Sequence, residues 1–131
     1  MENLLENSYY KVVSINKKKQ LVSAITRDYY IHYKFKKWVK PDIGKIFIFD
    51  TLKNAKKFLE LNFDKPWRIY KCYAKNVGPI EQVLQTSNFG LLHCEAFWDN
   101  KLNNDEKIHL TCYVLRGTLV ADSVMLYQKV N

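Results

Sequence analysis

The stretch Lys45–Leu61, KIFIFDTLKNAKKFLEL, constrains the fold of this chain more than any other. Lys45–Phe49 is an apolar, β-branched and aromatic run that fits a buried strand. Asp50 and Thr51 then supply side-chain oxygens where the first N–H groups of a helix lack partners. Leu52, Ala55, Phe58 and Leu59 recur at helical spacing, with Lys53, Lys56, Lys57 and Glu60 on the other side. The helix has to stop before Pro66, near Leu61–Asn62. A strand running directly into an amphipathic helix specifies architecture and names no chemistry.

Around this unit the chain reads mostly as strands. Tyr9–Ile15 and Gln20–Thr26 flank the polar turn Asn16–Lys19 and form a predicted hairpin. Tyr29–Phe35 alternates, with Tyr29, Ile31, Tyr33 and Phe35 on one face and Tyr30, His32 and Lys34 on the other. Pro41 and Gly44 punctuate the passage to Lys45. Trp67–Lys75 is strand-like and is broken at Asn76–Pro79. Ile80–Gln85 fits a strand or a turn of helix. Gly90–Trp98 and Lys107–Leu115 read as strands joined by a polar loop, Asp99–Glu106. Thr118–Val130 fits a strand interrupted at Ala121–Asp122, or a helix; the strand is preferred. Neighbouring strands are close enough in sequence to pair antiparallel. The expected fold is α+β: a mostly antiparallel twisted sheet with one or two helices packed on one face, in a single domain over residues 1–131.

The order YYKVV, LVSAI, IHYKF, IFIFDTLKNAKKFL, RIYKCYAKNV, GTLVADSVMLYQKV resembles small proteins of phages, large DNA viruses and some bacteria. They share a Tyr-Lys opening strand, a strand feeding an Asn-Ala-Lys-Lys-Phe helix, and a closing Ala-Asp-hydrophobic strand. The resemblance spans most of residues 8–130 and leaves Gly90–Asn104 without a counterpart. It implies a layout and carries no activity with it.

Charge is the main functional signal. The net charge is +8, and residues 1–75 hold 17 Lys/Arg against 7 Asp/Glu. Such a basic half suits nucleic acid, an acidic protein or an anionic surface. Lysine supplies 18 of the 21 positive charges, and there are 11 Asn. That bias is also what codon usage in an AT-rich genome produces, so both origins stay open. No apolar run is long enough to span a membrane. The opening MENLLENSYY has no secretory pattern, and three cysteines without framework spacing fit a reducing compartment. An intracellular, cytoplasmic protein is expected.

The tract Arg27–Lys45 interleaves aromatic rings with lysines, the combination that stacks bases and neutralises phosphates. The nucleic-acid-binding candidates are Arg27, Tyr30, Lys34, Lys36, Lys37, Trp38 and Lys40, joined by Lys53, Lys56 and Lys57 if the helix faces the same way. A plain solvated ribbon carries the same pattern, and edge lysines also deter aggregation. Other chemistries have thinner support. His93, Cys94, His109 and Cys112 have ligand types suited to zinc, yet neighbouring strand residues point to opposite faces, so no metal is expected. Cys72 and Cys112 sit in apolar strands, unlike activated nucleophiles. Motifs GxSxG, GxGxxG and Walker A are missing. Arg27, Thr51 and Glu95 can be cast as an ADP-ribosyltransferase-like set by order alone. The reading is a small non-enzymatic binding protein without cofactor, its partner a nucleic acid or an acidic protein. A host-modulating protein–protein role is the alternative. Trp98 suits a protein or homodimer contact, or the closing of the sheet end.

Overall fold

The computed structural model describes residues 8–23, 31–41, 44–61, 67–84 and 97–130. Its strands are β1 (Tyr9–Ile15), β2 (Leu21–Ser23), β3 (His32–Tyr33), β4 (Trp38–Val39), β5 (Ile46–Phe49), β6 (Trp67–Lys75), β7 (Gly78–Pro79), β8 (Gln82–Leu84), β9 (Thr111–Tyr113), β10 (Thr118–Ala121) and β11 (Ser123–Lys129). Helix α1 (Leu52–Leu61) follows β5, and α2 (Asn104–Leu110) precedes β9. Among the described residues every ladder is antiparallel. The fold is α+β, as expected.

Pairing between sequence neighbours is less common than expected. β1–β2, β2–β3 and β8–β9 join consecutive strands, but the long ladders β1–β6 and β6–β11 do not. These ladders also form a circuit. β11 pairs with β6, β6 with β1, β1 with β5, and β5 with β10, while β10 continues into β11 through Asp122 alone. The sheet therefore curls back on itself and has an inside and an outside.

Strand alternation loads both sides. Val13, Ile46, Ile48, Cys72, Val124 and Leu126 belong to the interior cluster. Val12, one residue before Val13, lies instead with Phe49, Ile69 and Ala55 under α1, packed by Leu52, Phe58, Leu59 and Trp67. Each large side chain buried there contributes about 1.5–3 kcal/mol. The helix starts where the sequence places it. Thr51 Oγ1 accepts from Asn54 N at 3.1 Å, and Asp50 Oδ1 accepts from Asn54 Nδ2 at 2.7 Å. Gly117 has φ +84°, and a Cβ there would lie 2.3 Å from Asp50 Oδ1 and 2.2 Å from Asn54 Nδ2. The helix entrance thus closes over a bare backbone.

The bend between β10 and β11 is held by polar groups. Asn76, at φ +54°, donates from Nδ2 to Asp122 Oδ2 at 2.8 Å. Asp122 N donates to Lys75 O at 2.9 Å, and Lys45 Nζ lies 3.1 Å from Asp122 Oδ1. The hydrogen bond from Asn76, then Lys45, holds the Asp122 carboxyl below its ordinary pKa. At the β1–β2 turn Asn16 Oδ1 accepts from Lys18 N and Gln20 N, the local bond that suits Asn to turns.

Three expectations need correction. Among the described residues of Tyr29–Phe35 only His32–Tyr33 pairs, and Phe35 sits in a turn with Lys36 at φ +61°. Asp99–Glu106 is not simply a loop, and Lys107–Leu115 is not one strand, because α2 covers Asn104–Leu110. A capping box explains it: Asn103 Oδ1 accepts from Glu106 N at 2.8 Å, and Asn103 N donates to Glu106 Oε1 at 3.0 Å, the reciprocal pattern of an Asn-x-x-Glu start. Cys112 pairs with Val83 across β8–β9, and the expected partner strand Gly90–Trp98 lies mostly outside the described residues. Phe97–Trp98 is helical, and residues 90–96 lie outside the described set.

Candidate functional site

The sequence-predicted tract divides between two supports. Lys34, Lys36, Lys37 and Lys40 are exposed around the β3–β4 turn, and Trp38 is half-buried on β4. That turn is fastened to β11, because Lys36 N donates to Leu126 O at 2.7 Å and Val39 pairs with Val124. Lys53, Lys56 and Lys57 are exposed on α1, which packs against β1 and β5. Arg27 and Tyr30 lie outside the described residues. Tyr33 is withdrawn from any stacking role, since it is buried in the interior cluster. Phe35 is 46% exposed, with its ring centroid 6.0 Å from that of Tyr70.

Register adds residues that the sequence reading passed over. Trp38 pairs with Met125, and Met125 with Tyr73. Val124, Leu126, Cys72 and Ala74 point inward, so alternation turns Met125, Lys71, Tyr73 and Lys75 outward. Lys75 Nζ sits 4.2 Å from the centroid of the Trp38 ring, within cation–π range. Tyr127 lies at the break in register between Leu126 and Gln128. Its ring stacks on Tyr73 with centroids 4.1 Å apart and planes 10° from parallel. Ser8 Oγ and Tyr127 OH share a hydrogen bond of 2.6 Å. The alternation Lys71, Tyr73, Lys75 was visible in WRIYKCYAK; its neighbours Trp38 and Tyr127 were not, because they arrive from distant strands.

This outer face is electrostatically one-sided. β4, β6 and β11 contain no Asp or Glu; alternation puts Lys71 and Lys75 on this side, while Arg68 and Lys129 pair with Val13 and Tyr70 on the inner side. The carboxylates among the described residues sit elsewhere: Asp50, Glu60, Glu81, Asp99, Asp105, Glu106 and Asp122. The face therefore presents lysines between half-buried aromatic rings without a competing anion on its strands.

A different lysine occupies the interior. Lys11 is 8% exposed, and its Nζ donates to Phe47 O at 2.7 Å and lies 5.7 Å from the Tyr33 ring centroid. Burial pushes its pKa down to about 8, with Cys72 acting in the opposite sense. Burial pushes the Cys72 thiol up to about 12, opposed by Lys11. A thiol held neutral in this way is a poor nucleophile.

The remaining candidates have structural places. Thr51 caps α1, while Arg27, Glu95, His93 and Cys94 lie outside the described residues. Trp98 lies across Gly44, where a Cβ would come within 2.3 Å of the indole, and 5.5 Å from the Phe47 ring. It seats against the start of β5 and closes that end of the sheet. Among the described residues no three His, Cys, Asp or Glu are grouped to hold a metal, and no helix is long and apolar enough to cross a membrane. Compared with known protein families, curated proteins and solved structures, the chain matches none.

Proposed function

We propose that this chain is a non-enzymatic, intracellular nucleic-acid-binding protein acting through the outer face of β4, β11 and β6. One observation carries the reading: lysines and half-buried aromatic rings coincide on strands that hold no carboxylate. Lys71 and Lys75 supply phosphate contacts from the sheet, and Lys36, Lys37 and Lys40 supply them from its edge. Lysine is a point charge without the planar fork of arginine, so weak sequence preference is expected.

Oligonucleotide binding by fluorescence anisotropy tests this. The full chain should bind mixed-sequence oligonucleotides at low salt, with log affinity falling linearly against log salt. Lys71→Glu with Lys75→Glu should weaken every sequence alike and reduce the salt slope by about 2. Lack of binding up to roughly 100 micromolar, beyond which even non-specific binding is weak, would sink the proposal. So would an unchanged slope in the double variant.

A further inference from the structure

The face has two aromatic stations, and their separation selects among nucleic acids. We infer that its ligand is single-stranded nucleic acid, with one base stacking at the Tyr73–Tyr127 pair and a second contact at Trp38–Lys75. This deepens the reading above and rests on it. Trp38 and Tyr73 lie two strand spacings apart, with Met125 between them, a distance of roughly 10 Å. Consecutive stacked bases rise only about 3.4 Å. A strand engaging both stations has to open its stack between them. Bases locked in a duplex cannot do so, because their faces are already covered by their neighbours.

Shape points the same way. The stations lie on the flat of a three-stranded face, β4–β11–β6. A duplex major groove admits a helix or a two-stranded ribbon, and a sheet face of this width cannot enter it. A duplex can meet the face only through phosphates, whereas a single strand adds ring contacts to the same charges. Lys75 couples the two modes: its ammonium is held over Trp38, so a phosphate and a base meet the protein within one side chain of each other. The Tyr73 and Tyr127 rings are already stacked, with planes 10° from parallel, so the platform does not have to be assembled on base capture.

The test compares four probes of matched length on the unmodified chain. They are a mixed-sequence single strand, its duplex, an abasic strand with the same phosphates, and inorganic polyphosphate. The single strand should bind about tenfold or more tighter than the other three, the gain expected from stacking bases on aromatic rings. Tyr73→Leu and Tyr127→Leu should each remove most of that advantage and leave polyphosphate affinity unchanged. Equal affinity for strand, duplex and abasic probe overturns the inference while leaving a phosphate-binding face. Loss of binding to all four probes overturns the proposed function itself. The probe comparison uses the native sequence, so it decides the question even if a tyrosine variant folds poorly.

Discussion

Strand β6 divides into two halves whose outward faces meet different fates. In the first half, Trp67 and Ile69 point into the layer beneath α1, and Ile69 is fully buried with Val12 and Ala55. In the second half, Lys71, Tyr73 and Lys75 point the same way with no helix over them among the described residues, and a tyrosine stack and a cation–π contact take its place. Backbone, strand and alternation are shared; the difference is the roof. An apolar outward residue needs a cover to leave water, whereas a lysine or tyrosine keeps its polar end solvated while its stem or ring lies on the sheet. The roofed half therefore contributes stability, and the bare half is free to meet a ligand.

The sharpest way to break this comparison is Ile69→Ala against Tyr73→Leu. Ile69→Ala should cost roughly 2–5 kcal/mol in chemical denaturation through the cavity it opens, and Tyr73→Leu less than about 1 kcal/mol. Equal losses would show that the bare half is core as well. Loosening the roof at its entrance comes next. Gly117→Ala forces a left-handed backbone and displaces Asp50 and Asn54, so a loss of about 2–3 kcal/mol is expected, read as a fall in denaturation midpoint.

Lysine itself separates outside from inside. Lys11→Met should stabilise the fold by about 2 kcal/mol at pH 7, since the lowered pKa represents about 3 kcal/mol of penalty, partly offset by the lost bond to Phe47 O. The sign follows from proton binding. Below about pH 8 both folded and unfolded Lys11 are protonated, so the full penalty is present. Above that, the unfolded chain holds the proton that the native one has released, and stability rises with pH. From about pH 9, its ordinary value, Cys72 ionises only in the unfolded chain, since the folded thiol stays neutral to about 12, and this pulls stability down. Denaturation between pH 8 and 9 should show a rise that Lys11→Met abolishes; a flat profile in the native sequence would contradict the buried ammonium.

The smallest effect belongs to the outer side of the roof. Lys53→Gln, Lys56→Gln and Lys57→Gln together should leave stability within about 0.5 kcal/mol. Oligonucleotide affinity should change by less than about threefold, because Gln removes these charges without reversing them and leaves the aromatic stations intact. A loss as large as that of Lys71→Glu with Lys75→Glu would merge roof and bare face into one surface and end the distinction.

Local signals predicted local structure well where they were strong. Tyr9–Ile15 and Trp67–Lys75 emerge with the expected bounds, and Thr118–Val130 breaks at Asp122 as its composition suggested. α1 follows from its cap and its apolar spacing. α2 was missed although Asn103 and Glu106 announce it, because the apolar residues after Lys107 fit a strand as readily as a short helix. Alternation put Phe35 on one face with Tyr33, a rule that fails wherever a turn rotates the backbone.

The sequence by itself determined which segments extend, which coil, where they stop and how much charge they bear, since propensity, capping and periodicity act within a few residues. Tertiary structure alone decided that Trp38, Met125, Tyr73 and Tyr127 share a surface, that α1 leaves them uncovered, and that Lys11 turns inward while Lys71 turns out. Those outcomes depend on register between strands separated by tens of residues. A one-residue slip would exchange the two faces, and only the whole core, packed at once, fixes which one meets water.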